Sequence, residues 1–371
     1  MKHAFYVAQD SLHFLLKFED GHEVLDMLRS ATSLEYFVKT GYQDRDQVLT
    51  SDSLMKPGRR LTDVEGQLYM SFSIPANYVQ EPNVLHLRLW YALVGQKRVA
   101  ERFTIPLDPN MLNKNYLLVQ AGSSQPLLDN YISTSEKLVV QVYNDTARQV
   151  EVQYFDTSFS PALPPMSSKQ EELERNLSLT NTSSYTAGDT ITFDKEGFYL
   201  FEPESEFSKG VLVKKWAYPQ VTMADELLKP LIYITTSSER EALFNASNVK
   251  EAVDNFWLNV GESKGAAREL IRSFYGRVET ANKLFTSYKP GWATDRGMIY
   301  IIYGKPTSIS HVGKTETWLY RESEVSPYVK FVFNKKENNF TENHYELVRL
   351  REYEDNWYST VAKWRAGITE M

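Results

Sequence analysis

The residues best placed to do chemistry lie within 290–306, which read PGWATDRGMIYIIYGKP, a run dense in glycine, aromatic and charged side chains. If they react, Asp295 is a general base or metal ligand, Arg296 clamps an anion, and His311 lies close enough in sequence to reach Asp295 in space. A plainer reading accounts for every residue type. Pro290-Gly291 makes a turn and Trp292 plugs the gap beneath it. Thr294 and Asp295 hydrogen-bond nearby backbone amides, and Gly297 takes a positive φ. Met298 to Tyr303 then forms a strand that Gly304-Lys305-Pro306 ends. A carboxylate beside a guanidinium forms an ion pair that fixes a turn and stays ionised, which makes it a poor base near neutral pH. The structural reading is therefore preferred, and no catalytic residue is assigned.

The other constellations are weaker. The histidines are His3, His13, His22, His86, His311 and His344, none in an H-E-x-x-H spacing, so no metal site is assigned. His86 falls in a strand pattern and reads as a packed or satisfied histidine. The chain has no cysteine, which excludes disulfides, thiolate catalysis and Cys-based metal sites. Carboxylates are plentiful in KQEELER and REYEDN, yet no spacing singles out the acid and base of a glycosidase. Neither G-x-x-x-x-G-K-[ST], G-x-G-x-x-G nor G-x-S-x-G occurs, so no cofactor is implied. A formal charge of −7 argues against nucleic acid as a partner, and the short basic runs at 56–60 and 214–215 read as solvated edges.

The elements that must position these residues divide the 371-residue chain into three regions. Residues 1–115 open with a helical spacing in HEVLDMLRSATSLEYFVKTG, where Val24, Leu25, Leu28, Leu34, Phe37 and Val38 recur at three- and four-residue steps. Alternation follows, with Leu68, Met70, Phe72 and Ile74 on one face and Leu85, Leu87, Leu89 and Tyr91 on another, and KRVAERFTIPL completes a hairpin. Residues 116–220 hold further strands, with EKLVVQVYND and RQVEVQYFD read as an antiparallel hairpin about Asn144. A Pro/Ser-rich surface loop spans 160–189, with a turn of helix around Gln170 to Arg175. Both regions are predicted as β-sandwich, Ig-like modules.

Residues 221–371 change to an α+β pattern with an antiparallel sheet and flanking helices. Ser238 is the predicted N-cap of a first helix carrying Leu243, Val249, Val253, Phe256 and Trp257. A second carries Leu270, Ile271, Phe274, Val278, Ala281 and Phe285 on one stripe. MIYIIYG, TETWLYR, YVKFVFN and HYELVRL are strand candidates, and EDNWYSTVAKWR is a closing helix. Trp257, Trp292, Trp318, Trp357 and Trp364 read mainly as core, with one ring of Trp357, Tyr358 and Trp364 turned outward as a partner surface.

GWATDRGMIYIIYGKP, preceded by FYGRVETANKLF and followed by ETWLY, FVF and YELV, resembles the GWxTD-domain family of bacterial, Bacteroidetes-type cell-envelope proteins over roughly residues 230–350. The resemblance rests on Arg277, Gly291, Trp292, Thr294, Asp295, Arg296, Gly297, Tyr303, Gly304, Pro306, Trp318 and Tyr320. It implies a secreted protein, often an outer-membrane lipoprotein, with no established activity. It also implies other envelope proteins as partners, in a barrel-assembly or secretion complex. The opening residues lack an apolar h-region and cleavage site, and no apolar run is long enough to span a membrane. Attachment would then be through a lipid anchor absent from this chain. The expected role is a non-enzymatic scaffold, in which the motif fixes the final sheet and presents Trp292 or Arg296 to a neighbour. The alternatives are a glycan-binding or glycan-processing protein, which exposed aromatic rings in a groove beside two carboxylates would favour, and a hydrolase centred on Asp295.

Overall fold

The computed structural model describes residues 2–18, 31–55, 62–64, 67–92, 98–122, 125–144, 147–156, 158–168, 177–215, 217–321, 328–338 and 340–368. The first half is built of strands: β1 (Lys2–Ala8), β2 (Ser11–Phe18), β3 (Ala31–Lys39), β4 (Val48–Met55), β5 (Thr62–Val64), β6 (Gln67–Pro75), β7 (Val84–Ala92), β8 (Arg98–Pro106), β9 (Tyr116–Gln120), β10 (Tyr131–Ser133), β11 (Lys137–Val142), β12 (Gln149–Asp156), β13 (Ser178–Thr186), β14 (Thr190–Thr192), β15 (Gly197–Phe201) and β16 (Lys209–Lys214). The rest is mixed: α1 (Ala224–Leu228), α2 (Ser237–Phe244), α3 (Val249–Gly261), α4 (Lys264–Phe285), α5 (Asp295–Tyr303), β17 (Ser308–Val312), β18 (Thr315–Tyr320), β19 (Val329–Lys335), β20 (Tyr345–Leu347) and α6 (Glu354–Arg365). The protein is thus multi-sheet and mostly antiparallel in its N-terminal part, with helices in its C-terminal part.

Two compact units divide the chain. The first comprises Met1–Leu128, Glu136–Val150 and Ser184–Thr192. It holds the sheets β1-β2-β6-β5, β4-β3-β7-β8 and β14-β11-β9. Alternation builds it: Leu34, Tyr36 and Val38 of β3 lie opposite Leu89, Leu87 and Leu85 of β7, all buried. Tyr36 meets Phe72 of β6 at 4.6 Å between ring centroids. The hairpin read from KRVAERFTIPL is present as β7–β8. The helical reading of residues 22–41 fails over Ala31–Lys39, which form a strand, and its earlier half lies outside the described residues. Leu34, Phe37 and Val38 fit a helical step, but Leu34, Tyr36 and Val38 also fit a period of two, and the leucines of β7 select the latter.

The second unit comprises Asp129–Ser135, Glu151–Ser183 and Phe193–Met371. It carries the sheet β10-β16-β15-β12-β13, in which β10 and β16 run parallel, and the antiparallel sheet β17-β18-β19-β20. The hairpin expected between the strands now numbered β11 and β12 does not form. β11 pairs with β9 and β14, whereas β12 takes β15, matching Tyr154 with Tyr199 and Phe155 with Phe198. Part of the expected loop 160–189 is the strand β13, and the turn of helix placed at 170–175 lies outside the described residues. The N-cap of α2 is Thr236, two residues before the serine expected, because Thr236 and Glu239 close a reciprocal capping box.

Candidate functional site

The motif is built around α5, a nine-residue helix where the sequence reading placed a strand. Met298, Ile299, Ile301, Ile302 and Tyr303 are all buried. A helix buried along nearly its whole length has apolar residues at almost every position, and its isoleucines and tyrosines carry strand propensity. The determinants are at its ends.

At the N-terminus a 3₁₀ turn over Gly291–Ala293 leads into the cap residue Thr294. The Thr294 hydroxyl accepts from Gly297 N at 3.0 Å and donates to Gly291 O at 2.8 Å. Trp292 N donates to Asn282 Oδ1 at 3.0 Å, and Trp292 O accepts from the Tyr233 hydroxyl at 3.1 Å. The glycines serve close approach. A Cβ on Gly297 would lie 1.8 Å from Gly291 O, and one on Gly291 would lie 2.0 Å from Ala281 O. Gly297 is helical, so the positive φ expected of it is not the reason for glycine there.

At the C-terminus Gly304 does take a left-handed φ, +79°. The carbonyls that end the helix are satisfied by side chains distant in sequence. Arg277 Nη1 donates to Ile301 O at 3.2 Å and Ile302 O at 3.0 Å, and Trp364 Nε1 donates to Ile302 O at 3.0 Å. The Tyr320 hydroxyl donates to Gly304 O at 3.0 Å, and that of Tyr303 to Asn356 Oδ1 at 2.8 Å. Arg277 lies over the Trp364 ring at 4.8 Å. Burial pushes both tyrosines above their usual pKa, so they remain hydrogen-bond donors.

The charges are arranged differently from the turn pair read from sequence. Asp295, 3% exposed, pairs with Arg349 rather than with its neighbour. Arg349 donates to Oδ1 at 2.5 Å and Oδ2 at 3.1 Å, and Leu347 N donates to Oδ2 at 2.6 Å. Asp295 thus ties the first turn of α5 to β20, with its negative charge at the helix's positive end. Arg296, 7% exposed, donates to Glu316 Oε2 at 3.3 Å, to Asn343 O at 3.0 Å and to Asn343 Oδ1, and lies 4.0 Å from the Tyr345 ring. Burial lowers its pKa while Glu316 and Tyr345 raise it. Glu316 also accepts from Trp318 Nε1 at 2.5 Å and pairs with His311 Nε2 at 3.0 Å, so His311 is directed to Glu316 on its own hairpin.

The described structure thus gathers the sequence-nominated residues at the two ends of one helix. Pro306 is buried. Trp292 is 7% exposed, so neither it nor Arg296 offers a broad face to a neighbour. Trp357 and Trp364 are buried, while Tyr358 is 59% exposed. Trp292 borders a cavity of about 30 Å³ that Asp295 does not line, room for roughly one water. Among the described residues no cluster of His, Asp and Glu could hold a metal ion, and no helix is long and apolar enough to cross a membrane.

Sequence reading missed Glu316, Asn343, Arg349 and Asn282. Glu316 was detectable: it occupies a core-facing position in TETWLY, in step with Trp318 and Tyr320, where a lone carboxylate demands a cation. Asn282 and Asn343 carry no such signal.

Residues 197–366 match the family model of the GWxTD domain. The match begins at β15, well before the roughly 230 at which the motif resemblance began, and runs through α6. No curated protein matches the chain.

Proposed function

We propose that this GWxTD-domain protein is a non-enzymatic scaffold or accessory subunit of a cell-envelope complex, with the motif acting as an internal brace. The observation that carries this reading is the Asp295 carboxylate, buried and held by Arg349 and Leu347 N. A carboxylate engaged in the interior by a guanidinium and a backbone amide is poorly placed to take a proton from a substrate. The strand-rich N-terminal part is read as Ig-like sandwich modules, whose edges and loops suit partner binding without a reaction. Location at the outer membrane through a lipid anchor, and a barrel-assembly or secretion complex as partner, follow from the family resemblance.

The test is purification of the native form from detergent-solubilised membranes, with mass spectrometry of what accompanies it. The reading expects an outer-membrane barrel protein in stoichiometric amount. Recovery of the protein alone from the soluble fraction would overturn it.

A further inference from the structure

The outward face of β4-β3-β7 in the first unit carries a groove of about 490 Å³, lined by Glu35, Phe37, Lys39, Ser51, Ser53 and Arg88 together with Val48 and Asp52. That volume falls within the roughly 300–1,000 Å³ of small-ligand sites. The register explains the face. Leu34, Tyr36 and Val38 turn into the core, so Glu35 and Phe37 turn out, with Ser53 and Ser51 of β4 opposite them on one side and Arg88 and His86 of β7 on the other.

The floor is ordered before any ligand arrives. The Arg88 guanidinium lies between the rings of Phe37 and Trp90, 5.2 and 5.6 Å from their centroids, and 3.8 Å from Glu35. Glu35 accepts from Trp90 Nε1 at 2.8 Å. His86 stacks on Phe37 at 5.2 Å, and its Nε2–H donates to Gly41 O at 2.8 Å. Lys39 Nζ donates to the carbonyls of Gln43 and Asp44. Arg88 Nε is buried and meets no acceptor among the described residues.

The charge balance selects the ligand. The lining has two carboxylates, Glu35 and Asp52, against two cations, Lys39 and Arg88. Each is already engaged within the protein, Asp52 through the Tyr36 hydroxyl at 2.9 Å. A phosphate, a nucleic acid or an acidic peptide would find no surplus positive charge. What the groove offers is an aromatic ring, flanked by His86, Lys39 and Arg88, beside carboxylate and hydroxyl groups. That combination fits a molecule with an apolar C–H face and a rim of neutral hydroxyls. We propose that this groove binds a neutral oligosaccharide, with Phe37 under one sugar ring and Glu35, Ser51, Ser53 and Arg88 on its hydroxyls.

The test is calorimetric titration of the full chain with neutral gluco-, manno- and N-acetylglucosamine oligosaccharides of four to six units. The proposal expects at least one to bind, with Phe37→Ala weakening it about tenfold. Ser51→Ala, at an exposed position on the edge strand, keeps the thermal midpoint and still weakens binding about threefold. Absence of binding across the panel at millimolar sugar, or binding indifferent to both substitutions, overturns the proposal. So does competition by an extended peptide that binds the same face more tightly than any sugar.

Discussion

Two charged clusters, one in each unit, use the same side-chain chemistry under opposite solvent access. Glu35 and Arg88 stand on an open sheet face, with side chains 38% and 24% exposed, and their pairing spans 3.8 Å. Asp295 with Arg349 and Arg296 with Glu316 are sealed among the aromatic rings of the second unit. Burial sets the role. An exposed acid-base set can exchange a protein partner for a ligand at small cost, whereas a buried set cannot release a partner without leaving a charge stranded. The GWxTD residues, dense in charged and aromatic side chains, form the more buried of the two places.

Breaking the sealed cluster gives the largest effect. Arg296→Ala takes from buried Glu316 its guanidinium partner, leaving only Trp318 Nε1 and His311 Nε2, and lowers unfolding stability by about 4 kcal/mol, measured by urea denaturation of the full chain. Gly297→Ala drives a methyl into Gly291 O and costs about 3 kcal/mol, although alanine ordinarily favours a helix over glycine. A stabilised Gly297→Ala protein would show that the close approach is not what the glycine serves. Glu35→Gln sharpens the other side of the comparison, changing stability by less than about 1 kcal/mol. A loss equal to that of Arg296→Ala would erase the distinction between the clusters.

Much of this architecture is legible in the letters where period and solvent access agree. The stripe Leu270, Phe274, Val278, Ala281 and Phe285 forms one buried face of α4, and EDNWYSTVAKWR coincides with α6. Legibility fails where an element is buried along nearly its whole length or where two periods compete. MIYIIY is apolar at every position, so only Thr294 and Gly304 mark it as a helix, and both fit a strand's turns equally well. At Leu34 to Val38 the deciding information lies some fifty residues away, in β7. For the site, the family residues were visible but their partners were not. Asp295 is next to Arg296 in sequence and bonded to Arg349 in space, because successive helical residues point in different directions. The groove was hidden because Glu35, Phe37 and Arg88 become neighbours only through the β3–β7 register.

Asp295→Asn most directly tests whether the motif braces the chain. The amide removes the charge that Arg349 neutralises while nearly preserving shape. The brace account predicts a loss of about 3 kcal/mol in unfolding stability with a lower thermal midpoint. Unchanged stability, accompanied by loss of a measurable turnover, would contradict it.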